Sequence, residues 1–227
     1  MEATEWDGVV RVGRDLFTTN LTPGHRAYGE DLRTERGVEY RRWDPFRSKL
    51  AAFLLKGPTP APWLGARRVL YLGGAHGTTV SHLSDLLPEA QIFVVEKSPV
   101  VFAPLLALAR TRANMYPILA DAQLPERYAA DVGPVDLLYQ DIAQRGQAQI
   151  FGENADACLA PTGSGLLMLK VRSVTQARSA GSVVDESRRE LARHGLSVRA
   201  SRDLAPFSRE HVALTVARGP APSNAHA

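Results

Sequence analysis

A chain of 227 residues, 44% hydrophobic and 22% charged, can bury one large core, or one core with a small appendage. The lone Cys158 excludes an internal disulfide, and His76 and His82 stand six apart, off the i, i+4 spacing of a helical zinc pair, so a reducing, cytoplasmic setting without a metal is expected. Met1 to Val10 carries Glu2, Glu5 and Asp7 where a signal peptide has a basic start, and no apolar run nears the ~20 residues that span a bilayer, so no membrane role is expected.

In chain order, residues 1–45 hold β-like runs at Gly8 to Val12 and Gly37 to Trp43, a small β-rich appendage. Phe46 to Lys56 reads as a helix, and Gly57 to Pro62 as a semi-rigid connector. Short apolar strands are then expected at Arg68 to Leu72, Gln91 to Val95, Tyr116 to Leu119, Val135 to Tyr139 and Gly165 to Val171. Between them, Val80, Leu83 and Leu87 and then Val101, Leu105, Leu108 and Ala109 give each of two helices one apolar face. Leu196 to Ser201 and His211 to Val216 have no helix between them and pair as an antiparallel edge hairpin. The expectation is a doubly wound, Rossmann-like α/β domain over residues 46–218, with a mixed sheet of seven strands and a disordered tail at 219–227.

Ligands of such sheets bind beyond the carboxyl ends of the strands, where the winding reverses. Gly73, Ala75 and Gly77 follow the first parallel strand, where glycines let backbone approach a ligand; the same residues also read as a tight turn with Thr78 as helix cap. Glu96 ends the second strand, where a carboxylate accepts from a ribose diol, and Asp121 and Asp141 end the third and fourth. A loop without lysine does not match a phosphate-binding P-loop. Carboxylates there repel pyrophosphate and suit a sulfonium with a neutral nucleoside, which favours S-adenosylmethionine over NAD or ATP.

Four colinear motifs then carry a resemblance: Gly37-Val38-Glu39-Tyr40-Arg41-Arg42-Trp43-Asp44-Pro45-Phe46-Arg47-Ser48-Lys49-Leu50-Ala51-Ala52, Gly77-Thr78-Thr79-Val80-Ser81-His82-Leu83-Ser84-Asp85, Tyr139-Gln140-Asp141-Ile142-Ala143-Gln144 and Lys170-Val171-Arg172-Ser173. Over about residues 8–217 the chain resembles the fibrillarin family. The resemblance implies an S-adenosylmethionine-dependent RNA ribose 2'-O-methyltransferase that modifies rRNA and tRNA within a box C/D guide ribonucleoprotein. Its partners would be guide RNA, a Nop-family scaffold and a kink-turn-binding protein of ribosomal type. The chain lacks a Gly/Arg-rich extension, so an archaeal, non-nucleolar type is expected. The implied cofactor contacts are Thr78, Thr79, Glu96, Lys97, Asp121, Ala122, Asp141, Ile142, Ala143 and Gln144. Lys97 stands where the family has an aromatic residue, His76 replaces a small loop residue, and Pro104 is expected to kink its helix.

By position the same resemblance implies Lys49, Asp141, Lys170 and His211 as the catalytic group. Lys170 serves as base if burial and the charge of Lys49 disfavour its ammonium, with Asp141 orienting it. It also reads as a snorkelling strand-end lysine, Lys49 as a phosphate contact on a helix surface, and His211 as a structural hydrogen-bonding residue. Residues 36–68 hold eight basic and two acidic side chains, either an RNA footprint or a solvated face. Arg41, Arg42, Arg47, Lys49 and Arg172 are the expected RNA contacts. A free-standing methyltransferase of another substrate class and a non-catalytic subunit of the same particle are the competing readings.

Overall fold

A strand buried on both faces must be apolar at successive positions, and the computed structural model, which describes residues 1–57, 63, 65–171 and 179–219, shows where each face goes. In β6 (Arg68–Leu72), Val69 and Tyr71 join one hydrophobic cluster and Leu70 and Leu72 the other. The alternation recurs in β9 (Val135–Gln140) and β10 (Leu159–Lys170), where Leu137, Tyr139, Leu166 and Met168 face one way and Leu138, Leu167 and Leu169 the other. With β7 (Gln91–Glu96), β8 (Met115–Leu119), β11 (Leu196–Asp203) and β12 (His211–Arg218) they form one seven-stranded sheet, ordered β11-β12-β10-β9-β6-β7-β8. β6 to β10 run parallel, and β12 lies antiparallel to both β10 and β11. The winding therefore runs outward from β6 to β8, then returns to β9 on the other side of β6. The crevice opens there.

The helices α1 (Lys49–Leu55), α2 (Thr78–Leu86) and α3 (Pro99–Ala109) cover the face of Val69 and Tyr71. The opposite face is covered by α4 (Ala129–Val132), α5 (Gln147–Cys158) and α6 (Ala180–Arg193). α1 begins at Lys49, later than the expected Phe46, because a turn over Asp44–Arg47 precedes it and the Ser48 hydroxyl caps it, accepting from the Ala51 amide at 3.3 Å. α2 is capped by Gly77 at φ 87° without a side-chain bond, so Thr78 is its first residue rather than its cap. Pro104 lies on the exposed side of α3, which continues to Ala109. β10 begins at Leu159 instead of Gly165, with a register shift before Ser164.

Five antiparallel strands make the small sheet: β1 (Glu2–Ala3), β2 (Val9–Val12), β3 (Asp15–Thr19), β4 (Leu32–Glu35) and β5 (Val38–Trp43). Val9, Leu16 and Trp43 extend the cluster that holds α1 to α3, and a buried polar network completes the joint. The Asp85 carboxylate on α2 accepts from Thr18 Oγ1 (2.8 Å), the Leu21 amide (3.0 Å), Arg41 Nη1 (2.7 Å) and Arg112 Nη1 (2.7 Å). Arg41 also donates to Glu30 Oε1 at 2.5 Å and to Ser81 Oγ at 2.9 Å. Arg41 is therefore no RNA contact: it is fully buried, and its guanidinium charge is answered inside the protein. His82 stacks on Trp43 with ring centroids 5.0 Å apart and meets Thr18 Oγ1 and the Tyr28 hydroxyl at 2.8 and 2.7 Å. Burial, then the guanidiniums of Arg41 and Arg112, push its imidazole far below the usual range, so it stays neutral.

Candidate active site

Two lobes of one crevice meet beyond the ends of β6 and β9. Backbone brings them close: the Gly73 amide donates to Val95 O at 2.9 Å and the Asp141 amide to Leu72 O at 2.9 Å. Gly73 has φ 88°, and a Cβ there would stand 2.2 Å from the Asp141 carbonyl oxygen, so only glycine fits. Gly73, Ala75, Asp141, Ile142 and Ala143 border both lobes.

The first lobe, about 520 Å³, is walled by Glu96, Lys97, Ala122 and Gln144. Glu96 is held by two backbone donors, the Ala75 amide on Oε2 at 2.9 Å and the Ser98 amide on Oε1 at 2.8 Å. Asp121 works from behind, accepting from Gln144 Nε2 at 2.8 Å and the Gln123 amide at 3.0 Å, with Lys97 Nζ 3.8 Å away. Burial opposes its charge, but these donors and Lys97 hold its carboxyl below the ordinary carboxylate value. Gly77 also acts from behind: a Cβ there would meet Leu108 of α3 at 2.4 Å.

The second lobe, about 410 Å³, gathers Lys49, Asp141, Lys170 and His211, with Arg47, His76, Thr78 and Thr79. Lys49, the first residue of α1, donates to both Asp141 oxygens at 2.8 Å. Lys170 and His211 are Cα partners across β10 and β12, which explains how residues so distant in the chain share a wall. The expected burial of Lys170 and its orientation by Asp141 are corrected: its side chain is 44% exposed and its ammonium pairs with Glu210 at 3.2 Å, because Lys49 already occupies the Asp141 carboxylate. His211 Nδ1 meets the Ser208 hydroxyl at 2.9 Å. Burial, with the Lys49 and Lys170 charges adding to it against Asp141 and Glu210, pushes this imidazole down to about 4, so it is neutral at physiological pH.

Of the other expected RNA contacts, Arg47 lines the second lobe, its guanidinium 4.7 Å above the Tyr28 ring. Arg42 instead pairs with Asp15 on the small sheet at 2.9 Å. Arg172, like Ser173, the connector residues 58–62 and the tail from 220, lies outside the described residues.

Sequence reasoning missed the residues that brace the walls. Gln147 donates to Ile142 O at 2.5 Å and accepts from the Lys170 amide at 2.9 Å, while its carbonyl accepts from Gln140 Nε2 at 2.7 Å. Ser48 Oγ accepts from Thr79 Oγ1 at 3.1 Å and so ties α1 to α2. The signals were faint: a glutamine after the Asp141 stretch and a serine before Lys49.

Known proteins share this architecture across nearly its whole length. A fibrillarin-like rRNA/tRNA 2'-O-methyltransferase of Methanopyrus kandleri is 42% identical over 198 residues, 87% of this chain and 85% of that one. The crystal structure of Aeropyrum pernix fibrillarin with natively bound S-adenosyl-L-methionine superposes with a TM-score of 0.87 at 40% identity, covering 95% of this chain and 96% of that one. A fibrillarin/Nop5p complex contributes a chain with a TM-score of 0.83 at 37% identity, covering 96% and 100%. The sequence profile of fibrillarin matches residues 3–219, so the small sheet, the crevice and the edge hairpin all fall within one match, and the chain belongs to the fibrillarin family.

Proposed function

We propose that the protein is an S-adenosylmethionine-dependent RNA ribose 2'-O-methyltransferase acting on pre-rRNA and tRNA. It works as the catalytic subunit of a box C/D guide ribonucleoprotein, with a Nop-family scaffold and a kink-turn-binding protein. The observation that carries this reading is the convergence of the Lys49–Asp141 pair, Lys170 and His211 on the lobe that adjoins the Glu96 lobe.

The residues fit the cofactor's chemistry. Glu96, fixed by two amides, suits a ribose diol; the amides of α2, which no side chain caps, suit a carboxylate; Asp141, on the border of both lobes, suits the region of positive charge. Bound there, S-adenosylmethionine supplies an activated methyl group for in-line displacement by a ribose oxygen.

The protein's part is alignment and proton removal. Lys49 and Asp141 cancel each other's charge and hold each other rigid, so a hydroxyl entering the lobe meets a fixed dipole. As the carbon–oxygen bond forms and the carbon–sulfur bond breaks, the hydroxyl proton passes to the Lys170 amine. An acceptor strand lying over the lobe brings its ribose hydroxyl against Lys170, at the end of β10. Neutral His211, its Nδ1 engaged by Ser208, keeps Nε2 for a hydrogen bond to the acceptor ribose.

Radiolabelled methyl transfer to guide-matched RNA, with and without a reconstituted scaffold, tests the reading. Label is expected in RNA, at one ribose, and only in the assembled particle. Label in protein, or none despite assembly, would overturn it.

A further inference from the structure

α1 has seven residues and no basic side chain in its last turn, so it neither stands alone nor answers its own final carbonyls. Arg202 on β11 answers them. Its Nη1 donates to Gly57 O at 2.7 Å and to Phe53 O at 3.3 Å, and its guanidinium lies 4.9 Å from the centre of the Phe53 ring. A cation belongs at this end, where the helix dipole is negative. Lys56 Nζ adds a second tie from the helix to the hairpin loop, at 2.7 Å from Ala205 O. Leu50 to Leu54 are buried, but apolar burial is non-directional and fixes which face turns inward more firmly than where the helix sits along its axis. The hydrogen bonds from Arg202 set that second coordinate.

The other end of α1 is the reacting one. Lys49 is its first residue and donates to both Asp141 oxygens at 2.8 Å. Arg202 is the Cα partner of Ala213 on β12, two residues from His211, which is in turn the partner of Lys170. One hairpin thus carries His211 and grips the far end of the helix that carries Lys49. We propose that Arg202 is a positioning residue for methyl transfer: by clamping the last turn of α1 to the β11–β12 hairpin, it sets Lys49 against Asp141 and keeps that pair in step with Lys170 and His211. This rests on the methyl-transfer reading above. Arg202 lines neither lobe and acts only through α1. Without it the last turn frays, Phe53 O and Gly57 O turn to water, and Lys49 gains a range of positions about Asp141. Glu96, Lys97, Ala122 and Gln144 sit on elements that the clamp does not touch, so the cofactor keeps its walls.

Arg202→Met and Arg202→Lys, each in the native and the Lys49→Met background, test this role by single-turnover methylation of guide-matched RNA in the assembled particle. Arg202→Met is expected to slow transfer about tenfold, the effect of a misplaced catalytic group, with KM for RNA and the calorimetric cofactor Kd unchanged. In the Lys49→Met background the same change should alter the rate less than about twofold, because the residue through which Arg202 acts is already gone. Arg202→Lys keeps the charge and loses the flat guanidinium that lies on Phe53; it is expected to lose about threefold, and it keeps the cycle readable if the methionine variant does not fold. An unchanged rate, a loss of the same size in both backgrounds, or a cofactor Kd that weakens in step with the rate would each overturn the proposal. Each of those results leaves transfer by the unaltered protein intact. Absence of transfer by the unaltered protein overturns the wider reading as well.

Discussion

Replacing Asp85 by asparagine should unfold the protein more readily than any comparable surface change, because Asp85 balances charge where water is absent. Arg41 and Arg112 contribute two buried positive charges, Asp85 and Glu30 two negative ones, and His82 is neutral. Asp85→Asn keeps the shape and leaves one positive charge unanswered. Breaking a buried pair by removing one partner costs about 3–5 kcal/mol. For a chain of this size each kcal/mol moves the unfolding temperature by about 2–4 °C, so a fall of about 6–20 °C is expected. Differential scanning calorimetry of wild type, Asp85→Asn and Asp85→Asn/Arg112→Met reads the effect. The double variant should regain part of the loss, since it restores neutrality at the cost of the three hydrogen bonds that Arg112 donates to Ser81 O, Ser84 Oγ and residue 85. A single variant within 1 kcal/mol of wild type, or a double variant that loses the sum of both changes, would refute the charge-balance argument.

Gly73→Ala should lower the unfolding temperature and weaken cofactor binding together, since the added Cβ lands 2.2 Å from Asp141 O at a positive φ, a combined cost of about 2–5 kcal/mol; wild-type calorimetry for both would count against it. Lys49→Met should cut turnover about a hundredfold without weakening the cofactor, because Asp141 loses its positive partner while keeping its place; single-turnover methylation and calorimetry separate the two. His211 titrates at about 4 in the folded protein, below the ~6.5 of an unfolded histidine, so the unfolded chain takes up the proton first. Stability is then lost as pH falls from about 6.5 through 4, by about 3 kcal/mol in full. His211→Asn should flatten that part of the stability profile, and parallel profiles for the two proteins would show the assignment to be wrong. Lys170→Ala should abolish transfer while cofactor binding stays measurable, and retained turnover would remove Lys170 as the base.

The parallel strands were legible because burial on both faces leaves few polar positions: Arg68–Leu72 matches its expectation residue for residue. β3 and β4 were not, since Asp-Leu-Phe-Thr-Thr and Leu-Arg-Thr-Glu mix polar and apolar positions on a half-solvated sheet. The start of β10 was hidden by Pro161 and Gly163, turn residues that sit where the strand is irregular. At the site, strand ends announced Glu96, Asp121 and Asp141; Glu96 and Asp141 line the crevice, while Asp121 braces Gln144 from behind. The pairings among them did not show. Local charge made Arg41 look like a nucleic-acid contact, and only tertiary structure reveals Asp85, 44 residues later, as its partner. Lys170 was expected to lean on Asp141, but α1, whose placement the sequence does not specify, brings Lys49 there first.

The same helix that lines the second lobe with Thr78 and Thr79 carries Asp85 about two turns later, and the partners of Asp85 come from both directions along the chain. Thr18, Leu21 and Arg41 are synthesised before it and Arg112 after it. During translation the set of Asp85 partners is complete only after residue 112 has left the ribosome. The helix that follows the glycine turn is thus anchored by contacts remote in sequence, and the crevice it borders is complete only when Asp141 to Gln144 have joined Glu96.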